Sequence, residues 1–326
     1  MTFELADDEM HLRFDAMASR NELVAAGVPN ASACAALQAA RAEVWRIEAK
    51  YSRYRPDSVV SRINAAAGTA ERIEVDAETA ALIEFGASLF ELSDGRFDIT
   101  SGPLRRAWNF REAREPSQDE LERLLPLIGW HRVEWDGRRV RLPHAGMELD
   151  FGGIGKEYAA DRAHAVLVQS GIAHGFANLA GDLRVVGPRA DGTPWAIGIQ
   201  HPREPDATCA QVHLARGALA TSGDYERFFV TTEGRRCCHI LDPRTGRSVA
   251  YWQSVSVISA TCAAAGALAT IGMLLAADAP AFLRGQGAAF LAVDPSGHLL
   301  AHDIELPLSG SPTVSTSVPD SRGHLP

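Results

Sequence analysis

The spacing of apolar residues changes along this chain, and that change restricts the fold more than any other feature. Between residues 32 and 51, Leu37, Ala40, Val44, Ile47 and Tyr51 recur at helical spacing. Residues 76–92 repeat the pattern with Leu82, Phe85, Leu89 and Leu92 on one face, and Ser93-Asp94-Gly95 supplies a stop. A third helix is expected over 118–127 from Leu121, Leu124 and Leu125. The period then shortens. Residues 132–135 and 140–142 flank Asp136-Gly137, a hairpin turn signal. A short strand is expected from Met147 to Phe151, running into Gly152-Gly153-Ile154-Gly155, with a helix from Lys156 to about Ser170 that Gly171 ends.

Further strands are expected at 175–179, 183–186, 195–199, 211–214, 228–231 and 254–258. Helices resume at 261–275 and 280–286, and a closing strand pair, 288–293 and 298–301, surrounds Pro295-Ser296-Gly297. Helices first, then strands, then helices predict an α+β fold rather than a doubly wound parallel sheet. Residues 309–326 are rich in Ser, Pro and Gly and are expected to form a disordered tail.

With 326 residues, 46% of them hydrophobic, the chain can build a sizeable core or two lobes sharing one. The formal net charge of −9 and the lack of any basic run argue against a nucleic-acid surface. A local anion site remains compatible, because loops and helix N-termini bind anions without net positive charge. Lysine occurs only at Lys50 and Lys156, so Lys156 stands out inside its glycine-rich segment. The five cysteines, Cys34, Cys209, Cys237, Cys238 and Cys262, are odd in number and lack CxxC spacing, which argues against a disulfide framework or structural zinc. The N-terminal segment carries acidic residues where an export signal carries basic ones. No stretch approaches the ~18 apolar residues of a membrane span. The expectation is a cytoplasmic protein with no membrane span.

Five segments could carry chemistry. Asp150-Phe-Gly-Gly-Ile-Gly-Lys156 is a strand, a glycine turn and a new helix, which lets backbone N–H groups approach an anion beside a point charge. It has neither Walker nor GxGxxG spacing. Ala177-Asn-Leu-Ala-Gly-Asp182 ends a strand in a turn with one carboxylate, and Ala220-Thr-Ser-Gly-Asp-Tyr225 offers two hydroxyls at a strand end. His239-Ile-Leu-Asp242-Pro-Arg-Thr-Gly246 sets a His and an Asp before a tight turn. In the helix at 261–275, Gly266 and Thr270 share a face. Read singly, each is also compatible with an ordinary turn or a close helix contact.

Together and in this order, DFGGIGK, ANLAGD, ATSGDY, HILDPRTG and the Ala-Leu-Ala-Thr helix resemble the ApbE-like family, the FAD:protein FMN transferases. Met17-Ala18-Ser19, the segment from Ser52 to Ser58 with Asn64, and Phe97-Asp98-Ile-Thr100 through Trp108 extend the resemblance to roughly residues 14–303. It implies a T-fold-like α+β architecture, one domain over residues 1–308 with FAD between two lobes. It also implies a Mg²⁺-dependent reaction. A Thr or Ser hydroxyl of a partner flavoprotein attacks the FMN-side phosphorus of FAD, and AMP leaves.

By the same resemblance, Met17, Tyr54 and Asp98 are candidate flavin or adenine contacts, and Lys156, Asp182, Thr221 and Ser222 lie along the cofactor. His239 and Asp242 lie near the reacting phosphate, with His239 as base or phosphate ligand. The Gly155 carbonyl and the Thr270 hydroxyl fall at the metal. Two departures concern that metal. The family's helix usually reads Ala-Asp-Ala-Leu-x-Thr, whereas this chain has Gly266 in place of the Asp. The family's Gly after the loop lysine is Glu157 here, which suggests that Glu157 partly replaces the lost carboxylate. The missing Asp also keeps open an FAD-binding or delivery protein without transferase activity, and an FAD diphosphatase with water as nucleophile. A dinucleotide-binding dehydrogenase fits poorly, since neither GxGxxG after a first strand nor a repeated βαβ order is present.

Overall fold

The structure is a computed structural model describing residues 2–6, 8–27 and 30–304; the expected tail at 309–326 lies outside them. Its backbone is a nine-stranded sheet whose strands neighbour one another in chain order. They are β1 (Thr2–Ala6), β2 (Glu9–Ala16), β3 (Ser19–Ala26), β4 (Gly175–Leu179), β5 (Asp182–Gly187), β6 (Gly217–Gly223), β7 (Ser254–Ser259), β8 (Ala289–Val293) and β9 (Leu299–His302). Every neighbouring pair is antiparallel. The fold is therefore an antiparallel meander with long insertions between some of its strands, and it is α+β as expected.

Two faces of the sheet are buried by different means. Leu23, Ala25, Ala177, Leu179, Ala218 and Ala220 face a core shared with helices, whereas Val24, Leu183, Val185, Leu219, Leu291 and Val293 pack under the hairpin Trp195–Gln200 and Thr208–Leu214. This is the period-two alternation of a strand covered on both sides. The helical layer contains α1 (Ala31–Tyr51), α2 (Val59–Ala65), α3 (Ala77–Leu92), α4 (Gln118–Leu124), α5 (Gly155–Gln169), α6 (Cys262–Leu275) and α7 (Ala279–Gly285). Helices α1 to α5 all lie in the insertion between β3 and β4, and α6 and α7 between β7 and β8. Local signals set their ends. Asn30, Ser58, Asp76, Ser117 and Thr261 accept hydrogen bonds from backbone N–H groups as N-caps, and Ser117 with Glu120 forms a capping box.

Several expectations need correction. The chain opens on strands, not helices: Met10, Leu12, Phe14 and Ala16 alternate inward along β2. The third helix stops at Leu124, and Pro126 continues it as a tight 3₁₀ turn. Residues 147–151 form no regular strand. Their backbone is held instead by the Asn64 side chain, which donates to Leu149 O at 2.9 Å and accepts from Leu149 N at 2.7 Å, while Asp150 N donates to Ile99 O. The helical run Cys262–Gly285 does reach the length and mean hydropathy, 1.6, of a membrane-crossing helix. In this fold half of that stretch is buried, with α6 lying on β6 and β7.

Candidate functional site

The register of the meander gathers the sequence-flagged segments at one end of the sheet. Asn21 pairs with Leu179, Leu179 with Asp182, Leu219 with Leu183, and Gly223 with Ser254. The Met17–Ala18 turn, the Ala180–Gly181 turn and the last residues of β6 therefore share that end. Helix α5 begins there as well. Its N-cap residue, Ile154, makes no side-chain cap; Gly155 N donates to Phe151 O at 2.6 Å and Tyr158 N to Ile154 O at 2.9 Å, so the N–H groups of Lys156 and Glu157 are the ones without a backbone acceptor.

At this helix start, Lys156 Nζ lies 2.8 Å from Asp182 Oδ2, and Asp182 Oδ1 accepts from the backbone N of Thr221 at 3.3 Å. Burial raises the Asp182 pKa, and the Lys156 charge opposes the rise. Burial works against the Lys156 charge, but Asp182 and Glu157 outweigh it and raise the lysine's pKa. Glu157 is 8% exposed, and one of its oxygens, Oε2, has no hydrogen-bond partner. Burial first, then the Asp182 charge, pushes its pKa up to about 8.

Helix α6 closes the site from the side. It runs antiparallel to α5: Asp161 of α5 accepts from the N–H groups of Cys262 and Ala263, both at 2.9 Å, while Glu157, a turn earlier on α5, faces Gly266, a turn later on α6. That register sets Gly266 against Glu157: a Cβ on Gly266 would lie 2.5 Å from Glu157 Cγ and 2.8 Å from its Oε1. Farther along α6, the Thr270 hydroxyl meets the Ser222 hydroxyl at 2.8 Å. Thr221 instead pairs with Ser256, also at 2.8 Å. Gly155 is the first residue of α5, next to Lys156. Seven flagged residues, Gly155, Lys156, Glu157, Asp182, Thr221, Ser222 and Thr270, thus form one group around the start of α5.

The remaining flagged residues have mixed surroundings. His239 is exposed, its N–H bonded to Arg227 O at 3.0 Å. The protein around it, then the Arg227 charge, lowers its pKa to about 4, with a smaller contribution from Lys156 that ties it electrostatically to the α5 group. Tyr54 is 75% exposed; Arg53 donates to its hydroxyl at 2.9 Å, and the charges of Arg227 and Arg105 also act on it. Arg53 in turn forms an ion pair with Asp150, at the entry to the glycine turn. Met17 occupies the left-handed region, φ 54°, and its N–H donates to Glu48 Oε1 at 2.6 Å.

Asp98 and Asp242 are engaged by the protein itself. Asp98 accepts from Thr100 N and Thr100 Oγ1, both at 2.7 Å, and from Trp130 N at 3.1 Å. Asp242 Oδ1 accepts from Arg244 N at 2.8 Å, closing the turn that ends at Gly246. No hydrogen bond joins it to His239 among the described residues. Sequence reasoning did not single out Arg227, Ser256 or Glu48. Ser256 sits in the serine-rich strand Ser254–Ser259 but outside any glycine turn, Arg227 and Glu48 lie in no glycine-rich or hydroxyl-rich segment, and each gains its place through strand pairing or helix packing.

The FAD:protein FMN transferase of Vibrio cholerae is 33% identical over 226 residues, 67% of each chain. The FAD:protein FMN transferase of Escherichia coli is 27% identical, covering 76% of this chain and 73% of its own. Among solved structures, the ApbE protein of Thermotoga maritima superposes with a TM-score of 0.84 at 34% identity, over 90% of this chain and 97% of its own. The flavin transferase ApbE from Vibrio cholerae gives a TM-score of 0.80 at 25% identity, over 93% and 98%. The family model described as the ApbE family matches residues 11–291, and this chain belongs to that family.

Proposed function

We propose that this chain is an FAD:protein FMN transferase, a single domain over residues 1–308 of T-fold-like, two-lobed form with FAD held between the lobes. The observation that carries the reading is the convergence of Lys156, Asp182 and the uncapped start of α5 at one end of the sheet. A diphosphate needs backbone donors and a cation: Lys156 supplies the cation, and with Gly155 N and Tyr158 N donating to Phe151 O and Ile154 O, the N–H groups of Lys156 and Glu157 are the donors left for it. Met17, Tyr54 and Asp98 would contact the ring systems, and Asp98 also holds the Thr100 and Trp130 backbone.

The reaction joins FMN to a Thr or Ser hydroxyl of an acceptor flavoprotein. The acceptor oxygen bonds to the FMN-side phosphorus, the bond from that phosphorus to the AMP phosphate breaks, and AMP leaves. The hydroxyl proton passes to a base. Its lowered pKa keeps His239 neutral at pH 7, which suits its ring to hydrogen-bonding a phosphate oxygen and leaves it a weaker base for the hydroxyl proton. Asp242 holds the turn beyond it.

The residues present also fit a Mg²⁺ site on chemical grounds. The donors at hand are oxygens: the Gly155 carbonyl, the Thr270 hydroxyl and the unpartnered Glu157 Oε2. Bound there, Mg²⁺ would neutralise charge developing on the departing phosphate.

Incubation of the purified protein with FAD, Mg²⁺ and a Thr-containing acceptor tests the reading. The expected result is an acceptor heavier by one FMN, with AMP released in equal amount. Gly266, which removes the family's usual carboxylate, favours one second reading, an FAD-holding or FAD-hydrolysing protein. Bound flavin with an unmodified acceptor would establish the former, and FMN with AMP in the absence of acceptor the latter.

A further inference from the structure

Building on the flavin-transferase reading, we propose that Glu157 supplies the carboxylate of the divalent-cation site, delivered from α5 into space that only a glycine at position 266 leaves open. Three observations support the exchange. First, Glu157 is 8% exposed and its Oε2 has no partner. A carboxylate at a helix start gains from the helix dipole while still solvated, so the dipole does not explain burying an unpaired oxygen. A cation bound to that oxygen does.

Second, the two helices cannot both provide a side chain here. Any Cβ at 266 would approach Glu157 Cγ to 2.5 Å, Oε1 to 2.8 Å and Cδ to 3.0 Å. The collision includes the middle of the Glu157 side chain, and the Asp161 bonds to Cys262 and Ala263 hold the helices in this register. A carboxylate from α6 therefore requires a small residue at 157, and one from α5 requires Gly266. Third, the other local donors are hard oxygens. Thr270 lies one helical turn beyond Gly266 and is oriented by Ser222, and Gly155 precedes Glu157 by two residues. Among the described residues no group of three or more His, Cys, Asp or Glu competes as a metal centre. Oxygen donors of this kind select Mg²⁺ or Mn²⁺ over softer ions.

The test is calorimetric titration of Mg²⁺, and separately Mn²⁺, into the full chain with and without FAD. Glu157→Gln keeps the shape and removes the charge, and it should bind the cation roughly 10-fold or more weakly. The double variant Glu157→Gly/Gly266→Asp moves the carboxylate to α6 and should recover affinity to within about one order of magnitude of the parent. A Glu157→Gln protein that binds Mg²⁺ as tightly as the parent overturns the proposal. So does a folded double variant no tighter than Glu157→Gln. If the double variant does not fold, the Glu157→Gln titration decides alone. Cation binding through Glu157 without FMN transfer would instead sink the transferase reading and leave this one standing.

Discussion

Lys156 and Asp182 meet at 2.8 Å with the aspartate 4% exposed and the lysine 32% exposed, so the pair joins the start of α5 to the start of β5. Glu157 lies beside them, which places two buried carboxylates against one cation. The lysine thus serves folding as well as binding. Lys156→Met should cost about 2–3 kcal/mol at pH 7, below the full figure for a buried pair because the lysine retains solvent contact. Asp182 has a raised pKa even in the parent, and without Lys156 it rises further. A group whose folded pKa is raised takes up a proton on folding, so the variant should be least stable at high pH and recover as pH falls. Chemical denaturation of both proteins between pH 5 and 9 would check this, and a cost independent of pH would contradict it.

A second ion network binds three helices together. Glu78 at the start of α3 receives Arg46 at 2.6 Å and Lys50 at 2.6 Å from α1, and Tyr158 at 2.9 Å from α5. The Arg46 bonds are the largest cause that holds its pKa well below the usual carboxylate range. A depressed folded pKa means that the stabilisation is present above the unfolded value, about 4.3, and is lost as pH falls through the folded one. Glu78→Gln should therefore destabilise by about 1–2 kcal/mol near pH 7, and the difference from the parent should shrink in acid. Denaturant midpoints at pH 7 and pH 3 measure it.

Asn64 stands in for a missing strand. Its amide satisfies both backbone groups of Leu149, whose side chain is fully buried. Asn64→Leu preserves much of the volume and strands a buried N–H and C=O, at a cost of about 2–3 kcal/mol. Faster amide hydrogen exchange confined to residues 147–151 would be the local signature. Unchanged protection there would refute the role.

His239 should titrate below the ordinary imidazole range. The surrounding protein contributes most, and the Arg227 charge next. Arg227→Gln should therefore move the midpoint upward without returning it fully to about 6.5. An NMR titration of the ring reads this directly, and a midpoint that ignores Arg227→Gln would remove the electrostatic link. Under the proposed mechanism, His239→Asn should also slow transfer by about 10²-fold or more while FAD still binds.

Much of the architecture is legible in the sequence. Helical spacing marked α1, α3, α5 and α6 to within a residue or two, and β4 matched its expected range. Strand β6, GALATSG, was legible only at its end, the hydroxyl pair Thr221-Ser222, because small residues have weak strand preference, and pairing with β5 and β7 makes the whole run a central strand. The Met147–Phe151 segment carried a strand-like pattern, but its backbone partners came from Asn64 and Ile99 instead of a ladder.

The sequence by itself determined the local elements, their caps and the glycine turn that starts α5 beside Lys156, because each depends on neighbours within a few residues. Its resemblance to the ApbE-like family also marked Gly266 and Glu157 as departures from the family pattern. Only the tertiary structure decided that these two face each other. They lie more than a hundred residues apart on different helices, and their contact depends on the Asp161 cap that sets how α5 and α6 pack. Packing register is a property of two surfaces meeting, and no spacing along one chain segment encodes it.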